Sequence, residues 1–354
     1  MYGLTTKALS RIGRRLIGVI VGMLLALTLI CALSPGLQAA AGRWVEMSGG
    51  ILSELEKNHP VSDDIYTRAT AGVSVDRKTG DVYLLANNIG ICKSSDQGKS
   101  FTLVSGNAVT GRFETGWGLN IDPSGGRLMC FTIYGSAASS DDAGKTWKTS
   151  TMGHLDYGVV DWSDTGKTML AIGHESGGKL LRTEDGGSKW QSVGTGFWAV
   201  GLFDRRTMVV GVENAPGILR RVDGSQAWTK VSDEPLAAPV MVEFKGVGYW
   251  LGEHGLLESK DKGASWSLVG ATPDGASLGP MFGADARHMV VGSPNGLFES
   301  KDGGKTWSKA APLAPEITVL KRGQYATYGW DPIHNIFYAS QMMKPAYRFV
   351  ASSG

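Results

Sequence analysis

The sequence predicts an all-β fold: a single seven-bladed propeller whose ring is closed by a strand from the N-terminus. Three observations point there. A turn motif of eight residues recurs at a period near forty residues. Between its copies, short apolar runs broken by Gly, Asn, Asp and Pro recur four to a repeat. The chain stops one strand short of a full last repeat, and a strand-like segment without a repeat of its own stands near its start.

The motif is clearest at Ser300-Lys301-Asp302-Gly303-Gly304-Lys305-Thr306-Trp307 and at Ser140-Asp141-Asp142-Ala143-Gly144-Lys145-Thr146-Trp147. It returns at Ser259, Asp261, Gly263 and Trp266. Thr183, Asp185, Gly187 and Trp190 form a copy with Thr first, and Ser94, Asp96, Gly98 and Phe101 one with Phe last. Asp223 and Trp228 belong to a decayed copy with Arg221 in the Ser place. The residue types explain the turn. Short hydroxyl and carboxylate side chains accept hydrogen bonds from nearby backbone N–H groups. The glycine takes a positive φ, and the indole opens the next strand with a large apolar body.

The motif resembles the Asp-box of the sialidase-like, BNR-repeat propellers. In that family the Asp-boxes are structural and lie away from the active centre, so the resemblance implies no catalytic role for these aspartates.

Lys7, Arg11, Arg14 and Arg15 precede an uncharged apolar run over residues 16–33, then Pro35-Gly36 and Ala39-Ala40-Ala41. This is the order of a secretory signal peptide over residues 1–41, leaving a mature chain 42–354 in the periplasm or outside the cell. The run is also just long enough to span a bilayer, so an uncleaved membrane anchor is the alternative. The whole chain carries a formal charge of +2, and removing residues 1–41 leaves about −2. No basic face for nucleic acid is expected. Cys92 and Cys130 lie in different repeats and are expected as two buried thiols. They are too few and too poorly spaced for a metal site, and neither metal nor cofactor is expected.

Taken in order, Gly42 to Ser48 matches the strand that follows a box, and residues 51–58 suit a short helix ended before Pro60. From Ala71 the four-strand units run regularly, with innermost strands expected at residues 71–76, 117–122, 157–162, 198–203, 240–244, 281–283 and 327–332. The last unit has three strands, and Trp44 is expected to supply the fourth against residues 347–349. Closure in this way removes exposed sheet edges. A six-bladed ring with the ends doing something else is the alternative.

In an up-and-down blade, the first turn and the box share one face. The second-to-third loop and the blade-to-blade connection share the other. The second face has the longer, uneven loops, where sites tend to be built. It carries Arg68, Arg112, Glu114, His154, Asp156, Tyr157, His174, Glu175, Glu253, His254 and Tyr328. A ring would converge these on one mouth, where carboxylates, imidazoles, arginines and aromatics suit an oligosaccharide or polysaccharide. A glycoside hydrolase needs two carboxyl groups about one bond, and Glu114, Asp156 and Glu175 are the candidates. Arg68, Arg112, His154, Tyr157, His174, Glu253, His254 and Tyr328 would bind substrate. A polysaccharide lyase would instead use a His or Tyr base with Arg112.

Thr67-Arg68-Ala69-Thr70 lacks the proline of a sialidase's Arg-Ile-Pro element. The xyloglucanase-type hydrolases are similar but use two propellers around a cleft. The photosystem II assembly-factor propellers are also similar: one exported seven-bladed ring without catalysis that binds another protein. The expectation is therefore an exported monomer that binds or cleaves carbohydrate, with a protein-binding scaffold as the alternative.

Overall fold

A computed structural model describes residues 42–58, 69–109, 111–113, 116–225 and 227–351. The expected signal segment or anchor lies outside the described residues, and among those no helix is long and apolar enough to cross a membrane.

Seven four-stranded antiparallel sheets form the propeller. Six use consecutive strands. Their innermost strands are Thr70–Val75, Leu119–Ile121, Leu155–Val160, Phe197–Asp204, Val242–Phe244 and Leu278–Phe282, for blades 1 to 6. Blade 7 begins at Ala326–Asp331, continues through Ile336–Gln341 and Tyr347–Ala351, and takes Gly42–Glu46 as its outer strand. Trp44 pairs with Phe349 in that register, as the orphan strand implied. The seven-bladed ring is thus the observed form, not the six-bladed one. Strand limits shift by up to three residues from those expected. The largest change in kind is at Trp117, which sits in a 3-10 turn, Gly116–Gly118, ahead of its strand.

The innermost strands pack closely because small residues let them. A Cβ on Gly329 would stand 2.7 Å from Val75 of blade 1, and one on Gly201 2.6 Å from Met241 of blade 5. At the seam, Trp44 packs edge-on against Phe349 at 5.3 Å and donates from its indole N–H to the Pro312 carbonyl at 3.1 Å. The helix Gly49–Asn58 buries Ile51 and Leu55 among Val82, Leu84, Cys92, Phe101 and Tyr338, so it covers the junction of blades 7 and 1. Cys92 and Cys130 are buried free thiols, and burial pushes Cys92 up to about 12.

Five boxes share one hydrogen-bond pattern. The leading hydroxyl accepts from the box glycine N–H, at 2.8 Å in four copies and 3.1 Å at Thr183. The aspartate accepts from the N–H four residues on, at 2.8–2.9 Å. The box glycines all take positive φ, and a Cβ on Gly187 would press on Ser150 of the preceding blade at 3.1 Å. Trp147 donates both to Gly144 in its own box and to Val104 in blade 1, so a box also fastens its blade to the one before. The decayed copy has lost this arrangement. Asp223 instead accepts two bonds from Arg182 of blade 3, at 2.6 and 3.0 Å.

Two outcomes follow. Trp44→Ala should lower unfolding free energy by roughly 2–4 kcal/mol, since the indole is half-buried at the seam. Denaturant titration checks this, and an unchanged midpoint on deleting residues 42–48 would contradict closure by that strand. The second concerns pH. Bonds from Thr306 hold the Asp302 carboxyl down at about 2. A depressed carboxylate contributes stability above its ordinary value near 4 and loses it as pH falls through the depressed one. The gap in melting temperature between wild type and Asp302→Ala should therefore narrow between about pH 4 and pH 2. A gap that stays constant over that window would show that the ionised form is not what stabilises the turn.

Candidate functional site on the loop face

The axial channel is a cavity of about 310 Å³, lined by the innermost strands of all seven blades. Its walls are mainly apolar: Val73, Leu119, Val159, Leu202, Val240 and Leu278 among others. Toward the box face, Arg77 of blade 1 crosses to blade 5 and lies 4.8 Å from the centre of the Phe244 ring. Burial lowers its guanidinium below the ordinary value, against the opposing pull of Glu243.

The opposite mouth is partly roofed. Residues 312–325 join blade 6 to blade 7 and form a strap. Its base is held by the buried residues Ala314, Ile317 and Val319, and by Ser277, whose hydroxyl donates to the Leu320 carbonyl at 3.2 Å. Its tip reaches other blades. Arg322 binds Glu213 of blade 4 at 3.1 Å and lies 3.9 Å over the Trp198 ring. Lys321 reaches Glu253 of blade 5 at 3.6 Å. Arg322 and Tyr325 both adopt positive φ to make this path.

Between the strap and blades 3 and 4 lies a cleft of about 250 Å³. Asp156, Tyr157, Glu175, Trp198, Glu213 and Arg322 line it, with Trp117 at its inner end. Local structure places them simply. Asp156 and Tyr157 lie in the innermost strand of blade 3, Glu175 in that blade's second-to-third loop, and Trp198 in the innermost strand of blade 4.

Most of the polar groups here already have partners. Asp156 accepts from the Nδ1 of His174 at 2.6 Å. Glu213 holds Arg322. Tyr157 donates its hydroxyl to the Trp198 carbonyl, and burial pushes its phenol well up from the ordinary value. A phenol so placed is a poor general base for a lyase. Trp198 is only 7% exposed, with a guanidinium over its face, which leaves it little surface for a sugar.

The expected site residues divide into groups. Arg112, His154, Asp156, Tyr157, His174 and Glu175 come together around blade 3. Arg112 lies 4.9 Å from the centre of the Tyr134 ring, and Tyr134 contacts both His154 and His174. Arg68 and Glu114 lie outside the described residues. Glu253 and His254 belong to blade 5. There Glu234, bonded to the His254 ring at 3.0 Å, raises that imidazole above its ordinary value. Tyr328 is buried against Trp44 and lines the axial channel. Arg322 and Tyr134 were missed from the sequence. The only sign of the strap was a stretch of 14 residues without a box or alternating run.

Residues 298–309 match the BNR/Asp-box repeat. No curated protein matches the sequence. Among solved structures, the chain is similar to YCF48 bound to D1 peptide, at 14% identity and TM-score 0.55, over 90% of this chain and 98% of that one. YCF48 from Cyanidioschyzon merolae is 15% identical, with TM-score 0.49 and 79% and 95% covered. The GH74 enzyme of Niastella koreensis is 16% identical, with TM-score 0.40 and 82% and 65% covered. At 14% identity the likeness to YCF48 bound to D1 peptide is one of fold.

The strap's attachment can be measured. A double-mutant cycle between Arg322→Ala and Glu213→Ala should return a coupling of about 0.5–1 kcal/mol, because the pair is about a third exposed. That coupling should shrink in high salt. No coupling at low salt would mean that packing alone holds the strap.

Proposed function

We propose that this chain is a non-catalytic binding propeller, and that its loop-face cleft takes an anchoring side chain from a protein partner. One observation carries the reading: of the three carboxylates among the described residues of the cleft, two are engaged within the fold, Asp156 with His174 and Glu213 with Arg322. A glycoside hydrolase needs one carboxyl to hold a proton and another to act as base or nucleophile. Among the described residues lining the cleft, Glu175 has no second carboxylate beside it that is outside such a pair. The cleft's volume suits one side chain or one ring better than a run of sugar units. The similar fold of YCF48, recorded with a D1 peptide, supports a polypeptide ligand. Export to the periplasm or cell exterior remains part of the proposal, resting on the basic, apolar, Ala-rich order of residues 1–41.

A second reading has its own support. The exposed Glu175 and the half-buried Trp117 line the same cleft, a carboxylate and an indole such as a sugar would meet. Carbohydrate binding without cleavage is consistent with that pair.

The test is a side-by-side screen of the full-length chain on peptide and glycan arrays, with hits measured in solution. Saturable peptide binding that weakens about tenfold or more in Arg322→Ala and in Tyr325→Ala is expected, as for contact residues of a small interface. Glycan binding lost in Glu175→Gln would favour the second reading. Release of reducing ends from any glycan, abolished by the same substitution, would overturn the non-catalytic proposal.

A further inference from the structure

The geometry points to a divalent transition-metal site at the outer edge of this face, made by His154, His174 and Glu175. This goes beyond the binding role above and does not depend on it.

Cross-strand register creates the cluster. Leu155 pairs with Gly173 at the end of the first two strands of blade 3, so His154 and His174 face each other one step further out. The His174 N–H donates to the His154 carbonyl at 2.9 Å and fixes that pairing. Glu175 follows directly. One donor atom from each of the three side chains can be chosen so that all lie within 4.8 Å of one another. Donors on a tetrahedral zinc, each about 2.0–2.1 Å from the metal, stand about 3.4 Å apart. His154 and Glu175 are exposed, so small side-chain rotations close that difference around the buried His174.

His174 is prepared as a ligand. Its Nδ1–H donates to the Asp156 carboxylate at 2.6 Å, which orients the ring and turns Nε2 to the cluster as an electron-pair donor. Nε2 then stands 3.7 Å from Oε1 of Glu175. Two electron-pair donors facing each other at that distance leave a gap that a cation would bridge. Asp156 is here a positioning residue, the outer carboxylate of a carboxylate–histidine–metal relay. The His154 and His174 ring centres are 5.0 Å apart, and Tyr134 packs edge-on against both, at 5.0 and 5.7 Å. The Arg112 guanidinium, whose charge would oppose a dication, lies over the Tyr134 ring. Tyr134, His154 and Glu175 all hold positive φ without being glycine.

Two imidazoles and one carboxylate suit Zn²⁺, Cu²⁺, Ni²⁺ or Fe²⁺ rather than Mg²⁺ or Ca²⁺, which prefer oxygen donors alone. With two of the three ligands exposed, the remaining coordination positions open to solvent, where water or a partner's side chain would complete the shell.

The probe is Zn²⁺ titrated into the full-length chain, without a polyhistidine tag, against a chromogenic chelator. About one equivalent should bind, and His154→Ala and Glu175→Gln should each weaken it about tenfold or more. Asp156→Asn, which touches no metal, should weaken it about 10–100-fold. Loading with Co²⁺ should give visible absorption bands that shift in Glu175→Gln. His254→Ala, at the separate His–Glu pair of blade 5, should leave Zn²⁺ affinity unchanged. His154 and Glu175 lie at the surface, so their variants stay folded even where His174→Ala does not, and circular dichroism verifies this. Failure to bind a stoichiometric ion, or affinity unaltered in both surface variants, would overturn the site.

Discussion

The structure depends on one pairing: Gly42–Glu46 against Tyr347–Ala351. Six blades are each made of neighbouring strands and form locally. The seventh joins residues some three hundred positions apart, and only that join turns a row of sheets into a ring. Without it, blade 7 would present an unpaired edge and blade 1 an uncovered flank. The sequence protects the join with apolar bulk at its centre, where Trp44 lies between Tyr328 and Phe349. The helix that follows then buries Ile51 and Leu55 beside Tyr338. Backbone bonds set the register, while aromatic burial supplies the energy that opposes the entropy of closing so long a loop.

Closure divides the molecule into two unlike faces. On one, five repeated turns use hydroxyl, carboxylate and glycine in nearly identical bonds. Each reaches back to the preceding blade, so this face is chemically uniform. On the other, loops differ in length and connect blades by charge. Arg322 and Lys321 extend from the strap to Glu213 and Glu253, pairing basic residues of one connection with acidic residues of two others. A ring with a mainly apolar axial channel and a partly roofed mouth leaves much of its polar side-chain chemistry off-axis, beside blade 3.

The fold was legible because its signals are local. Ser94, Asp96 and Gly98 make their bonds within five residues, so the turn can be read in a short window, and its spacing counts the blades. Trp44 was legible because it stands in a segment that matches the strand after a box. The decayed copy at Asp223 was visible as a departure. Its use was not, because Arg182, which holds it, comes from the next repeat upstream. The strap was illegible for the same reason. Residues 312–325 contain Pro312 and Pro315 and no alternation, and nothing in them shows that Arg322 will meet Trp198. Trp117 misled more gently: an indole at the start of an apolar run looked like the first residue of a strand, while Gly116 and Gly118 favour a turn.

The blade 3 cluster shows why a list of loop residues is not yet a site. Carboxylates, imidazoles and arginines around a mouth were expected to act on a ligand, and several act on each other instead. A general acid must hold a proton to donate. Placed 2.6 Å from His174, Asp156 is held as an acceptor, and its effect is to decide which nitrogen of that ring faces outward. The same pairing that weakens the case for acid–base chemistry strengthens the case for ligation, because a metal requires an oriented lone pair and a general acid requires a proton held in reserve. Twenty residues separate His154 from His174 in sequence, and no spacing rule for metal ligands covers that interval. Their conjunction comes from the register of one pair of strands, and a shift of a single residue there would point one of the two imidazoles to the other side of the sheet.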